Sequence, residues 1–287
     1  MPSELAPALY FPVVAAPLRM QAGLLRFGTD FGNGAADSRY FQIDARLEST
    51  LAAKHAAPRD RHVMVAPLDA AGERACDAAL AWMRATLAAE APAQLARADV
   101  DSAARNPFDA LGRAVQEDFA VLDRGPDGAG RTLVVHVCFP SGWRPERLAG
   151  ASFADIHVPV PSFGKPDAAA RSMVSAMIDR GPYVRFVWTL SVDDALDHHP
   201  DSGQRAPWPT TPPDKGPRGF LRVERQVTVP LVGADASVFL IRTYLYALDT
   251  LDAAQRTVVR AALDAMPDEV RRYKGLPTSD IVFGGDG

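Results

Sequence analysis

Cysteine is almost missing from this chain: Cys76 and Cys138 are the two it has in 287 residues. No C-x-x-C pair and no Cys/His run with zinc spacing accompanies them, which excludes a zinc finger or a thioredoxin-type redox pair. Two buried free thiols are expected rather than a disulfide, as in a reducing cytosol. A basic excess is missing too. Lys and Arg number 31 against 35 Asp and Glu, a net charge of −4, and the signs are interspersed, so no nucleic-acid footprint is present. No apolar run approaches ~18 residues, so no spanning helix and no membrane partner are expected. The start, MPSELAPALYFPVV, has neither a basic n-region nor a long apolar h-region. No secretory signal is therefore expected, and the cytoplasm is the expected compartment. There is no internal repeat. The Gly/Asp/Asn-rich stretch FGTDFGNGAADSRYF lacks the strand–GxxxxGK–helix setting of a phosphate cradle.

What is present is enough apolar residue, 47%, to fill a core. Ala79, Trp82, Met83 and Leu87 recur at helical spacing from Glu73 onward. A second helix is expected over NPFDALGRAVQEDFAVL, capped by Asn106, with Phe108, Leu111, Val115, Phe119 and Leu122 on its apolar face. RTLVVHVCFP and YVRFVWTLSV read as strands. KPDAAARSMVSAMIDRG reads as a helix ended by Gly181. GFLRVERQVTVPL and SVFLIRTYLYAL, joined across VGADA, read as a hairpin. A last long helix runs from near Asp252 to YKG. Helices mixed with antiparallel hairpins predict an α+β fold. No linker has globular sequence on both sides, so 1–287 reads as a single domain. Within it, 1–105 is an N-terminal helical and irregular part, 106–250 the core, 198–219 a proline-rich loop that serves as lid or docking loop, and 251–275 the C-terminal helix.

The hairpin carries the polar side chains of most interest. By alternation Arg222, Glu224 and Gln226 share one face. A turn centred near Ala234 puts Glu224 opposite Tyr244 and Gln226 opposite Arg242. That register gathers Arg222, Glu224, Gln226, Arg242 and Tyr244 into one patch. It reads either as a solvated face laced with ion pairs or as the lining of a pocket. The use of Arg without Lys favours planar, bidentate contacts.

His157 stands in FADIHVPVPSF. Pro159 and Pro161 push Val158 and Val160 away from helix, so the segment after His157 is expected to be extended and stiff. A lone histidine is usually a hydrogen-bonded structural residue, and it cannot hold zinc alone. It can serve haem iron, where the porphyrin supplies four donors and the protein an axial imidazole. His136 alternates within a strand and is expected to face packing. His55 and His62 lie in polar context, and His198 and His199 are expected at the surface.

The blocks AVQEDFAVL, VCFPSGWRPERLAG, IHVPVP, LRVERQ and IRTYL resemble, in order, those of the haem-dependent oxidative N-demethylase alpha-subunit family. They cover about Asp109 to Leu248, and PLRMQAGL extends the resemblance more weakly toward the N-terminus. The resemblance implies a PAS-like antiparallel sheet with flanking helices enclosing a pocket for haem b. It implies oxidative N-demethylation of a small methylated amine with dioxygen, releasing formaldehyde. It also implies a separate flavin and iron–sulfur reductase as electron-donating partner. Carried onto this sequence, it makes His157 the metal ligand, Arg222 and Glu224 the catalytic groups, and Glu224, Gln226, Arg242 and Tyr244 the substrate-side lining. Where the family pattern runs Arg-x-Asn-Trp, this chain has RFVW, with Val187 in place of the amide; if that amide contacts substrate, this chain accepts a different amine or none. A haem-binding PAS-type sensor or carrier without turnover, and a haem-free binding protein, are the competing readings.

Overall fold

The computed structural model describes residues 9–14, 23–161, 166–203, 208 and 219–276. Most of the proline-rich stretch expected as a lid lies outside the described residues. In chain order, β1 (Leu25–Arg26) is followed by α1 (Leu47–Ala56), α2 (Arg59–His62) and β2 (Val63–Val65). Then come α3 (Ala70–Glu90), α4 (Pro92–Asp99), α5 (Pro107–Ala114), β3 (Asp118–Asp123) and β4 (Arg131–His136). The rest are α6 (Phe153–His157), α7 (Pro166–Asp179), β5 (Tyr183–Ser191), β6 (Phe220–Leu231), β7 (Ala236–Ala247), α8 (Ala253–Asp264) and α9 (Asp268–Lys274). The strands form one seven-stranded sheet in the order β1-β5-β6-β7-β3-β4-β2, antiparallel at every pairing. The fold is α+β, as the sequence predicts. Cys76 and Cys138 are free and buried. No helix among the described residues is long and apolar enough to cross a membrane.

Three expectations are corrected. The helix begun at Asn106, whose side chain accepts from the Asp109 amide, stops at Ala114, and Phe119 and Leu122 belong to β3. The end is fixed from elsewhere in the chain. Lys54 donates to the Gly112 carbonyl at 3.1 Å, the His55 ring to Arg113 at 3.1 Å and Gln94 to Ala114 at 3.1 Å. Carbonyls that would otherwise lack an intrahelical partner are thereby satisfied. The C-terminal helix is two helices, because Pro267 opens α9 and cannot continue α8. The segment after His157 is turned, not extended. Val158 is helical (φ −49°, ψ −40°), and the Val160 amide donates back to His157 at 2.9 Å. The Ser152/Asp155 capping box starts this short helix and outweighs the pre-proline bias against α geometry at Val158.

The hairpin register also differs. Leu231 pairs with Ala236, and Gly233 (φ +82°) and Asp235 (φ +49°) make the turn. Glu224 therefore pairs with Thr243, not Tyr244, and Gln226 with Ile241, not Arg242. A one-residue slip exchanges the two faces of a strand, so the expected five-residue patch is split between them.

One face of the sheet is closed. α3, α4 and α5 bury Phe119, Val121, Val227 and Leu240 against it. α8 and α9, with Tyr10 and Val13, bury Trp188, Val223, Tyr244 and Tyr246. On the other face α7 covers only one end, where Val174, Met177 and Ile178 pack on Leu122.

Candidate functional site

The uncovered part of the second face is built in rows by strand pairing. Arg185, Gln226, Ile241 and Asp118 form one row, and Val187, Glu224 and Thr243 the next. Thr189, Arg222 and Leu245 lie on one side of these, and Tyr183, Thr228, Phe239 and Ala120 on the other. Ala120, Val187, Phe239 and Ile241 stay partly exposed, while the residues alternating with them, Phe119, Val121, Trp188, Leu240 and Arg242, are buried. The result is an apolar floor with a polar middle.

Glu224 is that middle. Its carboxylate lies 3.6 Å from Arg222 Nε and accepts from Gln226 Nε2 at 3.1 Å. Its charge reaches Arg185, Lys274 and Tyr273 as well. Burial pulls the Arg222 and Arg185 guanidinium groups below their usual range, with Glu224 opposing the pull. Burial also holds Lys274 down to about 8, again opposed by Glu224 and aided by the like charge of Arg185. Lys274 closes the open edge of β5. Its ammonium donates to the Trp188 carbonyl and stands 5.3 Å from the Trp188 ring centre. Asp118, on the same face, is matched by Lys54 at 3.0 Å. Among the described residues Glu224 is thus the carboxylate that acts on Arg185, Arg222 and Lys274 together, with Asp118 and Asp197 acting on Arg222 as well.

His157, the last residue of α6, stands beside this face, near enough for the Arg185 charge to act on it. Its Nδ1 lies 2.7 Å from the Phe153 carbonyl. A carbonyl only accepts, so Nδ1 carries the proton and Nε2 the lone pair. Burial first, and Arg185 after it, hold the imidazole below its ordinary range, against the pull of that hydrogen bond. It is therefore neutral at pH 7, the form that ligates metal.

The other predicted groups divide. Gln226 lies beside Glu224. Arg222 is only 1% exposed, and it spends its terminal nitrogens on the Leu196 and Phe139 carbonyls at 2.9 and 2.7 Å. What it presents to Glu224 is its Nε edge. Arg242 and Tyr244 are on the closed face, where Arg242 donates to Asp44 at 2.6 Å and the Tyr244 hydroxyl donates to Gln42. They do not share a surface with Glu224. His198 and His199 are buried rather than at the surface, because Asp193 holds His198 at 2.9 Å and Glu146 holds His199 at 3.1 Å.

His136 is fully enclosed, its ring stacked on Phe119 at 5.2 Å. Ligand atoms of Asp118, His136 and Cys138 lie within 4.8 Å of one another. The Lys54 ammonium already supplies the positive charge there, and burial keeps the Cys138 thiol protonated. This reads as a buried polar network rather than a metal centre. A cavity of about 240 Å³ lies beyond Lys274, lined by Ser141, Thr189, Asp193 and His198 among others. Its volume suits a small molecule, not a macrocycle.

Three residues of the site escape the sequence reading: Arg185, Tyr273 and Lys274. Arg185 was within reach, because alternation in YVRFVWTLSV puts it on the Val187 side. Lys274 and Tyr273 reach the site only through the packing of α9.

A comparison with protein families matches residues 34–282 to a model described as "Haem-dependent oxidative N-demethylase, alpha subunit-like".

Proposed function

The chain belongs to the haem-dependent oxidative N-demethylase, alpha subunit-like family, and from that premise we propose that it is a dioxygen-using haem monooxygenase acting on a small secondary or tertiary methylamine. The observation that carries the reading is the juxtaposition of His157, with its lone pair on Nε2, and a half-open apolar sheet face. The residues fit haem b. Ala120, Val187, Phe239 and Ile241 would offer a flat apolar floor, His157 would offer an imidazole to the iron, and the nearby Arg185 and Lys274 would match an anionic cofactor. In this reading the sheet is PAS-like, and the covered face is its structural half.

When bound, haem would supply dioxygen activation. The overall change takes one O₂, two electrons and two protons. One oxygen atom enters an N-methyl C–H bond and the other leaves as water; the carbinolamine then collapses to formaldehyde and the shortened amine. The chain's own groups do the rest. His157 would hold the iron, and the Phe153 carbonyl fixes its tautomer. Glu224 pairs with the alkylammonium or takes its proton, so that the nitrogen is neutral when the methyl group is attacked. Gln226 orients that carboxylate. Arg222 Nε, held by two carbonyl anchors on its other nitrogens, supplies positive charge where negative charge develops. Val187 leaves an apolar position where an amide would hydrogen-bond, so the amine accepted is set by fit and charge. The electrons come from a separate flavin and iron–sulfur reductase, and the compartment is the cytoplasm.

The test is an absorption spectrum of the purified protein with added haem, followed by reductant and dimethylamine. A Soret band, with formaldehyde released, is expected. A band without formaldehyde, across a panel of methylamines, would make the protein a sensor or carrier. No band at all would overturn the haem reading. His157→Ala should lower haem affinity by more than about 100-fold, beyond the usual cost of removing only a ligand's supporting partner. An unchanged spectrum in that variant would remove His157 from the iron.

A further inference from the structure

Strands β5, β6 and β7 carry four arginines: Arg185, Arg222, Arg225 and Arg242. Three of them are anchored on oxygen. Arg222 holds two carbonyls, Arg225 holds the Arg39 carbonyl at 2.9 Å, and Arg242 holds Asp44 at 2.6 Å. Arg185 is the exception. Its Nε, like those of Arg222 and Arg242, is buried without a hydrogen-bond partner, but among the described residues its terminal nitrogens have no carbonyl or carboxylate anchor. Glu224, the carboxylate that acts on it, is already engaged by Arg222 and Gln226. A guanidinium cannot shed its proton to relieve this, and a buried N–H left without a partner is costly. It persists on the open face, within electrostatic reach of His157.

We infer that Arg185, backed by Lys274, is the anchor for a carboxylate of the bound cofactor. The inference rests on the haem reading above. Haem b is a flat apolar ring with two propionates at one edge, and its negative charge complements the Arg185 guanidinium. The planar fork of Arg185 suits bidentate pairing with a carboxylate, and Lys274 adds a point charge beside it. A carboxylate on the amine substrate has the same chemistry, and the experiment separates the two sources.

The experiment needs no variant at its first step. The full-length protein is titrated at the Soret band with haem and with haem dimethyl ester, in which both propionates are neutral. The unmodified protein should prefer haem by at least about 30-fold, the scale of a desolvated charge pair that loses one partner. Arg185→Met should reduce that preference to within about threefold, and Arg185→Lys should keep part of it; far-ultraviolet circular dichroism checks that both fold. If the unmodified protein binds haem and its ester equally well, the inference is overturned while the haem reading stands. If it binds neither, the haem reading falls. In a third arm, N-methylglycine and dimethylamine are titrated against the haem-loaded protein. An Arg185-dependent preference for N-methylglycine, with equal binding of the two porphyrins, would assign the carboxylate to the substrate and overturn the cofactor assignment.

Discussion

The two faces of the central sheet solve the same problem differently. Both bury arginines among apolar side chains. On the closed face each charge has a protein partner: Arg242 has Asp44, and Arg225 has a backbone carbonyl over the Phe27 ring. On the open face three cations share Glu224, and the apolar floor is left partly uncovered. A closed face with its arginines paired gives stability. A half-covered face whose cations share one carboxylate is what remains when part of the partner set is a ligand. The lone histidine beside it would be unremarkable on the other face, where His136 is packed away.

The largest expected effect breaks the open face at Glu224. Glu224→Gln keeps size and removes the charge that acts on Arg185, Arg222 and Lys274 together. Binding of dimethylamine to the haem-loaded protein, followed at the haem band, should weaken by about 30-fold or more. If Glu224 were a solvated surface acid, the change would be within about 0–1 kcal/mol and confined to stability. Equal amine affinity in the two proteins would take Glu224 out of the substrate site.

The closed face should fail by a different route. Gly112 presses its backbone on the buried His136 ring, and a Cβ there would meet ring atoms at 2.5 Å. Neither group can move away, since the Gly112 carbonyl is held by Lys54. Gly112→Ala is expected to cost about 1–3 kcal/mol of stability, as overpacked cores do, and to lower the melting temperature by roughly 2–12 °C. Haem affinity of the folded fraction should be unchanged. A variant as stable as its parent would show that this face tolerates repacking, and the contrast between the faces would weaken.

How much of this could be read in the sequence follows from where each determinant sits. β5, β6 and β7 were legible because their period of two is local and strong. The α5–β3 boundary was not. Phe108, Leu111, Val115, Phe119 and Leu122 fit a helical period, and the helix ends because Lys54, His55 and Gln94, far off in the chain, take its last carbonyls. The hairpin register failed by one residue because a four-residue turn has no residue at its centre, and that slip reassigned Arg242 and Tyr244. His157 was found for chemistry rather than shape: the extended mount expected after it is a turn. Lys274 was out of reach, since nothing in YKG says which strand edge α9 will meet.

The smallest effect sharpens the comparison most. Lys274 is held down to about 8 from an ordinary 10.5. The folded protein therefore releases this proton near pH 8, while the unfolded chain keeps it up to about 10.5. Between those values the unfolded state binds more protons, so stability rises with pH across that window, and below it the burial penalty is present in full. Lys274→Met removes the penalty and also the hydrogen bond to the Trp188 carbonyl, which offsets part of the gain. The haem-free variant should be more stable than its parent by about 1 kcal/mol at pH 7. That advantage should shrink as pH rises above 8 and vanish near 10.5. The groups around Lys274 fix the sign: Glu224 favours its charge, while Arg185 and burial oppose it. With haem bound the sign should reverse, because a carboxylate would turn the same ammonium from a penalty into a partner. Melting curves of parent and variant at pH 7 and pH 10, with and without haem, measure all four quantities. A variant that is less stable than its parent without haem, or equally stabilised with it, would mean that Lys274 already has all the charge it needs from the protein.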